Sequence, residues 1–288
     1  MRWGVTLPTP SISRAALPAP ALHTASKVQA ALVDLVGWRL LHTVAAAVAR
    51  QRLCLTVEGL EHIPPTGPVL IASRHFHHLY DGCALLASIP RPTSIMVGLD
   101  WVQDRRIRGL MEWACDTARW PAVLRRDRMG GPGQPAKGQS AYRVDEVDRY
   151  LRRAIRLAAG LLRSGRVLVV FPEAYPNVDP VFTPKQHDDD FLPFRDGFAR
   201  LVRLAQRGGR ARVPIVPAGL CYRRGSRWQV TLRFGPPLFV GGPTDDAELT
   251  ASLEARVRRL SGYLPDRPHL DAPSLTMASP LLRTTLAK

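Results

Sequence analysis

The stretch that most constrains this chain is residues 67–82, where an apolar run ends in a cluster of polar side chains. A Gly-Pro pair precedes the run from Val69 to Ala72, and Arg-His-Phe-His-His then leads to Asp81 and Gly82. A short apolar run bounded by breakers predicts a buried strand, and the residues after Gly82 are typical of a helix. We therefore expect the histidines and the aspartate at the carboxyl end of a strand, where open α/β sheets place their sites.

This cluster has the composition of a proton acceptor and the group that orients it. An imidazole titrates near neutral pH and can take a proton from a hydroxyl, while a carboxylate on its other nitrogen fixes the tautomer. Five residues separate His75 from Asp81 and three separate His77 from Asp81, so either histidine could meet the carboxylate across a turn. A surface loop with a capping aspartate and a zinc site are two alternatives. The zinc site lacks a second ligand cluster, because the four cysteines are scattered and form no CxxC pair.

Length and charge limit the choice of partners. A chain of 288 residues, 45% of them hydrophobic, can bury the core of one large domain. Lysine and arginine number 40 against 24 acidic residues, which gives a net charge of +16 and favours anionic partners such as lipid head groups, a phosphorylated substrate or nucleic acid. We expect no nucleic-acid partner, because no helix-turn-helix, zinc-finger or aromatic RNA-binding signature is present.

The chain before residue 53 divides into a loose, proline-containing arm at 1–24 and a helical segment at 25–52. The segment carries apolar residues on one broad face. Asp34, Arg39 and His42 interrupt it, and an Asp or Arg at the centre of a membrane span costs about 2.5–3.5 kcal/mol, so we do not expect it to span a membrane. A helix that lies in the membrane interface and a helix that packs on its own core both fit the pattern.

Strand and helix patterns alternate over residues 53–263. They predict an α/β domain with a mostly parallel central sheet of about seven strands and helices on both faces, following the N-terminal amphipathic helix. Residues 93–98 are expected to form one core strand, residues 129–138 a flexible loop, and residues 264–288 a loose tail.

Polar residues also follow two later apolar segments. The sequence Val-Leu-Arg-Arg ends at Arg126, and the predicted strand at 166–171 leads into Pro-Glu-Ala-Tyr-Pro, which includes Glu173. The loop at 177–192 contains Lys185, His187 and three consecutive aspartates. A metal site there is conceivable, but a run of carboxylates in a loop is more often solvated.

Four stretches in this order resemble the motifs of the glycerolipid acyltransferases, the family of 1-acylglycerol-3-phosphate acyltransferase. The first motif is Asn-His, four residues and Asp; here Arg74 and His75 take the first two places, and the spacing to Asp81 is one residue longer. Val-Leu-Arg-Arg at 123–126 resembles the second motif, and the sequence at 213–220 matches the fourth.

The third motif departs most from the family pattern. Phe-Pro-Glu at 171–173 matches the start of Phe-Pro-Glu-Gly-Thr-Arg-Ser, but Ala174, Tyr175 and Pro176 replace Gly-Thr-Arg. The lost arginine is an expected phosphate contact, which Lys185 or Arg195 could replace.

The resemblance implies direct acyl transfer. His75, oriented by Asp81, would take the proton of an acceptor hydroxyl, which then attacks the thioester of acyl-CoA or an acyl carrier protein; His77 is the alternative base. Side chains expected to bind substrate are Arg74, Arg126, Glu173, Lys185 and Arg195. We expect no metal and no cofactor beyond the acyl thioester co-substrate.

The acceptor implied by the resemblance is a lysophospholipid, with phosphatidic acid as product. The protein is expected to be peripheral, on the cytoplasmic face of a membrane, with an anionic membrane surface and an acyl carrier protein as candidate partners. Because of the altered motifs, two alternatives stay open: an acyltransferase with another acceptor, and a catalytically silent lipid-binding protein that keeps the fold.

Overall fold

A computed structural model describes residues 19–129, 140–208, 212–241 and 246–263, with side chains from Leu35 onward. The arm expected at 1–24 lies outside the described residues except for 19–24, which are helical. Most of the loop expected at 129–138 and the whole tail at 264–288 also lie outside them.

Helices and strands largely alternate over the described chain, as the sequence pattern predicts, apart from places where strands follow one another. The helices are α1 (Ala19–Arg52), α2 (Tyr80–Ser88), α3 (Arg105–Ala118), α4 (Val147–Arg163), α5 (Gly197–Gln206) and α6 (Asp246–Leu260). The strands are β1 (Leu53–Glu58), β2 (Val69–Ser73), β3 (Thr93–Ile95), β4 (Val97–Gly98), β5 (Ala122–Val123), β6 (Val167–Val170), β7 (Pro214–Arg223), β8 (Trp228–Phe234) and β9 (Leu238–Phe239).

The main sheet has the strand order β1-β8-β7-β2-β6-β3, with β9 paired to β7. It is mostly parallel: β2 pairs in parallel with β6 and β7, β3 with β6 and β1 with β8, whereas β8 and β9 run antiparallel to β7. The central strands β2 and β6 are buried on both faces, which explains their continuous apolar sequences. Ala72 lies opposite Val170, so the polar segments that follow these two strands emerge side by side.

Helices cover both faces of the main sheet, which confirms the expected fold class. Residues of α1 and α2 pack on one face in a single apolar cluster, and residues of α4, α5 and α6 pack on the other. Over the described residues, no helix combines the length and the apolar character needed to cross a membrane.

The segment 93–98 differs from the single core strand expected for it. Residues Thr93–Ile95 pair with β6 in the main sheet, but Val97–Gly98 pair in parallel with β5 in a separate two-stranded sheet. The chain leaves the sheet edge at Met96, whose N–H makes the last bond to β6, and the next residue bonds Pro121. This change of partner places Asp100 and Arg125 just beyond the ends of two adjacent strands.

Candidate active site

The loop between β2 and α2 brings His75 onto Asp81. The distance from His75 Nδ1 to Asp81 Oδ2 is 2.9 Å, and the carboxylate is fully buried whereas the imidazole is 15% exposed. Because the carboxylate accepts, Nδ1 carries the proton and Nε2 is left with its lone pair. His75 and Asp81 are therefore brought together in the geometry expected of a base and its orienting group.

The longer spacing between His75 and Asp81 is absorbed by backbone bonds to the same carboxylate. Besides the imidazole, Asp81 Oδ2 accepts from the N–H groups of Phe76 at 2.6 Å and His77 at 3.0 Å. The other oxygen, Oδ1, accepts from the hydroxyl of Tyr222 at 2.7 Å. The loop thus wraps around the carboxylate, which gives a buried charge the hydrogen bonds it requires.

The ring of His75 is also fixed by stacking on the residue after β6. The imidazole and the ring of Phe171 are nearly parallel, with centroids 4.2 Å apart. Since β2 and β6 are neighbours, the residue that follows β6 lies directly beside the residues that follow β2.

The structure gives His77, the alternative base, a different role. Its Nδ1 accepts hydrogen bonds from the N–H groups of Leu79 at 3.2 Å and Tyr80 at 3.3 Å, at the start of α2. Burial, with His78 adding to it, lowers the pKa of His77 from 6.5 to about 4. A neutral ring that satisfies the amides of a helix start is a structural group, and the hydrogen bonds of His77 with Asp81 are made by its backbone N–H and carbonyl.

Glu173 and Lys185 lie beneath the loop that carries His75 and differ from the substrate contacts expected of them. Their side chains are fully buried and form an ion pair of 2.5 Å. The ammonium also donates to the carbonyl of His75 and to Asn177, and the carboxylate accepts from the N–H groups of His75 and Leu192. Lys185 has thereby used all three of its donors, and in this structure the pair supports the backbone of His75.

Arg74 is likewise buried and bonds within the protein. Its guanidinium donates to the carbonyls of Leu220 at 3.3 Å and Asp188 at 2.9 Å, and it lies 4.6 Å from the ring centre of Tyr263. These contacts connect β7, the 177–192 loop and the end of α6. They show Arg74 bracing these three elements against one another.

The two neighbouring arginines after β5 differ in burial and in ion-pair partner. Arg125 makes a buried, bidentate ion pair with Asp100 and donates to the carbonyl of Ala174 at 2.7 Å. Arg126, which the resemblance placed at the phosphate, instead forms an exposed pair with Asp148 of α4 at 2.8 Å. Within the described chain, Arg125 is the one of the two that contacts the segment following β6.

Arg195 contacts that same segment, because its backbone N–H donates to the carbonyl of Pro172 at 3.2 Å. Its guanidinium is 3.3 Å from Asp127, and Asp127 also accepts from the hydroxyl of Tyr175 at 2.7 Å. Tyr175 in turn stacks on the guanidinium of Arg125. Arg126 and Arg195 are therefore the two expected binding residues that keep exposed guanidinium groups.

A metal centre finds no support in the described part of the chain. No group of three or more His, Cys, Asp or Glu side chains is placed there to hold an ion. The N–H of His187 donates to Asp190, whose carboxylate accepts from the backbone of its own turn.

Two residues of this site were missed by reasoning from sequence. Tyr222 follows the fourth motif at the end of β7. Because Ala218, Leu220 and Tyr222 alternate along this strand, they share one face of the sheet, and this pattern could have predicted that Tyr222 packs on the same side as α2. Asn177, which bonds Lys185 and holds three carbonyls of the 177–192 loop, carries no such signal.

A partly exposed imidazole, backed by a buried carboxylate at the end of a parallel strand, is an arrangement that can remove a proton from a hydroxyl. The comparisons with known proteins identify a family that fits this chemistry. The sequence model of the acyltransferase family matches residues 54–220, which is more than half of the 288 residues. The chain belongs to the acyltransferase family, which confirms the activity class expected from the four motifs.

Among solved structures, the chain is similar to the 1-acyl-sn-glycerophosphate (LPA) acyltransferase PlsC from Thermotoga maritima. The two chains are 15% identical, the similarity covers 83% of this chain and 90% of that chain, and the TM-score is 0.48. No curated protein sequence matches this chain.

Proposed function

We propose that this acyltransferase moves a fatty acyl group from acyl-CoA or an acyl carrier protein to the hydroxyl of a lysophospholipid. The proposed acceptor is 1-acylglycerol-3-phosphate, and the product is phosphatidic acid. The observation that carries the proposal is the 2.9 Å contact of His75 Nδ1 with Asp81, which leaves Nε2 of a partly exposed ring to meet the acceptor.

In the proposed reaction His75 acts first as a base and then as an acid. Nε2 takes the proton as the acceptor O–H bond breaks, and the oxygen forms a bond to the thioester carbonyl carbon. The C–S bond then breaks, and the imidazolium returns its proton to the leaving thiolate. Asp81 stabilises the imidazolium between these steps, and no protein nucleophile is required.

The acceptor phosphate requires a cation, and Arg126 and Arg195 are the proposed partners, because they alone keep exposed guanidinium groups among the residues expected to bind substrate. Both guanidinium groups are more than half exposed, and their partners Asp148 and Asp127 are nearly as exposed. Exposed ion pairs contribute about 0–1 kcal/mol, so a phosphate can replace either carboxylate at little cost.

A peripheral position on the cytoplasmic face of an anionic membrane is part of the same proposal. Among the described residues, six of the seven large apolar side chains exposed on α1 and α3 recur every three or four residues, three on each helix, and these two helices contact each other. We call this set the apolar face: Val36, Leu40 and Val44 of α1 with Ile107, Leu110 and Trp113 of α3. Exposed Arg39, Arg105 and Arg106 belong to the same helices. Apolar side chains beside basic ones fit a helix pair that lies in a lipid interface.

The reaction is tested by thiol release from a long-chain acyl-CoA, with and without 1-acylglycerol-3-phosphate. We expect acceptor-dependent release from the wild type and a loss of about 10²–10⁴-fold in His75→Ala, the range typical of a positioned base. His77→Ala should retain release where circular dichroism shows that it is folded. Loss in His77→Ala alone would move the base to His77.

The choice of acceptor is tested in the same assay. Release with another lysophospholipid alone would keep the chemistry and exclude this acceptor. No release with any donor or acceptor, together with binding to anionic vesicles, would instead favour a lipid-binding protein without turnover.

A further inference from the structure

We propose that Tyr222 is a positioning residue for acyl transfer, which acts on His75 by donating a hydrogen bond to Oδ1 of Asp81. The inference rests on the proposed role of His75 as the base. Tyr222 lies outside the stretch that carries His75 and Asp81. It belongs to β7, the strand that pairs with β2.

The hydrogen bonds to Asp81 are divided unequally between its two oxygens. Oδ2 accepts from the His75 imidazole and from two backbone N–H groups, while Oδ1 accepts from the Tyr222 hydroxyl at 2.7 Å. Among the described residues, Tyr222 is the only donor to Oδ1. The carboxylate has no exposed surface, so water does not supply a replacement.

The position of the Tyr222 hydroxyl is set by aromatic packing. The ring is stacked on Phe76, with centroids 4.4 Å apart and planes 14° from parallel, and it contacts Trp228 edge-on at 5.7 Å. Phe76 itself donates its backbone N–H to Asp81 at 2.6 Å. One stacked pair therefore supplies a donor to each oxygen of the carboxylate.

Tyr222 remains a neutral donor throughout the range in which an imidazole titrates. Burial raises the pKa of Tyr222 well above its usual value, and the Asp81 carboxylate raises it further. Without this donor, the negative charge of Asp81 would be shared less with Oδ1 and would hold the Nδ1 proton of His75 more strongly.

A substitution at Tyr222 leaves the other charged or titratable groups around Asp81 and His75 in place. These groups are Arg74, His77, His78, Cys83, Glu173 and Lys185. A change in the titration of His75 in Tyr222→Phe therefore reports on the hydroxyl alone, because phenylalanine keeps the ring that stacks on Phe76.

The experiment compares Tyr222→Phe with Tyr150→Phe. Tyr150 is also buried and donates its hydroxyl to a carboxylate, that of Glu112, but it belongs to an apolar cluster that contains neither His75 nor Asp81. The pH dependence of kcat/KM and the histidine titrations of the ¹⁵N-histidine-labelled protein are measured for both variants. The His75 signals are identified by their absence in His75→Ala.

In Tyr222→Phe we expect the His75 titration and the acid limb of kcat/KM to move up by about one pH unit, as loss of a hydrogen bond to a charged group predicts. At a fixed pH below the limb, kcat/KM falls about tenfold, and KM for the acceptor stays unchanged, because a positioning role acts on the His75 proton and not on acceptor binding. Tyr150→Phe should show the wild-type titration.

If Tyr222→Phe is poorly folded, the protein with 3-fluorotyrosine at position 222 still tests the proposal, because this residue keeps the ring and its hydroxyl is a stronger hydrogen-bond donor. It should move the His75 titration to lower pH, opposite to phenylalanine. Coincident titrations in wild type, Tyr222→Phe and the fluorinated protein would overturn the proposal. The titrations need no turnover, so an inactive wild type would refute the proposed function while still testing Tyr222.

Discussion

Lys185 donates a hydrogen bond to the backbone carbonyl of His75, with 3.0 Å between Nζ and the oxygen. Its ion-pair partner Glu173 accepts from the N–H of the same residue, also at 3.0 Å. One buried ion pair thus holds both backbone polar groups of His75. The 177–192 loop, which contains Lys185, is therefore part of the support of the candidate base.

Replacing Lys185 by methionine should destabilise the fold strongly. The Glu173 carboxylate would stay buried without its counter-ion, a change that typically costs about 3–5 kcal/mol. The free energy of unfolding in urea measures the loss. Arg153→Ala is the matched control, because it breaks an exposed pair with Asp116 and should change stability by about 1 kcal/mol or less.

The double variant Lys185→Met/Glu173→Gln should recover part of this loss, because it removes the buried charge as well as its partner. If Lys185→Met alone were as stable as Arg153→Ala, the ion pair would not support the loop that carries His75.

The pH dependence of stability should contain a contribution from His77. Its pKa is lowered from 6.5 to about 4 in the folded protein. Between these values the unfolded chain binds a proton that the folded chain does not, so stability falls as the pH falls through this window. Protonation would also remove the Nδ1 lone pair that accepts from Leu79 and Tyr80.

His77→Asn keeps a side-chain acceptor near the start of α2 but does not titrate. We expect wild-type protein to lose more stability than this variant between pH 6.5 and pH 4.5, measured as urea midpoints. Contributions from all other groups are common to both proteins. If the stability of both proteins depended on pH in the same way, His77 would take up its proton as readily in the folded state as in the unfolded state, and its assignment as a neutral acceptor would be wrong.

The contrast between Asp81 and its distant partners shows what the sequence could predict. His75, His77 and Asp81 share one strand-to-helix turn, so the local pattern predicted that a histidine would meet the carboxylate, and the family resemblance favoured His75. Lys185 and Tyr222 reach the same turn across 110 and 141 residues of chain, and no local pattern encodes that distance. The burial of Glu173 and Lys185 could not be predicted from sequence either. Both residue types are typical of substrate-binding sites, and the sequence does not show that these two form a buried ion pair with each other.

Replacing Ala174 by glycine should stabilise the protein. Ala174 has a φ of 66°, in the left-handed region, at the place where the third motif of the family carries glycine. A residue with a Cβ pays about 1–2 kcal/mol there, and glycine also loses more entropy on folding, so we expect a net gain of about 1 kcal/mol in unfolding free energy. Ala114→Gly within α3 should instead cost about 1 kcal/mol, since its backbone is helical. A loss of stability in Ala174→Gly would show that the backbone at Ala174 is not strained by its Cβ.

Removing Arg126 or Arg195 should weaken binding of a phosphorylated acceptor without slowing the chemical step. We expect KM for 1-acylglycerol-3-phosphate to rise about tenfold in each alanine variant, the loss of one charge-assisted contact, with kcat little changed. Steady-state thiol release measures both constants. Arg153→Ala, which removes a similarly exposed guanidinium on α4, is the control. Equal KM values in all three variants would exclude Arg126 and Arg195 from the phosphate site.

The apolar face predicts that the protein binds lipid vesicles through α1 and α3. Leu40→Ser and Trp113→Ser remove one exposed apolar side chain from α1 and one from α3. Burying such a side chain is worth about 1.5–3 kcal/mol, so each variant should bind anionic vesicles at least about tenfold more weakly in co-sedimentation.

Leu151→Ser is the control for this prediction, because Leu151 is also an exposed apolar side chain but belongs to α4, which packs on the opposite face of the sheet. It should bind vesicles as the wild type does. Raising the salt concentration should weaken binding only in part, since salt screens the arginines but leaves apolar insertion intact. Binding that disappears in high salt and is insensitive to Leu40→Ser and Trp113→Ser would mean that charge alone holds the protein at the membrane, and the apolar face would then have no part in docking.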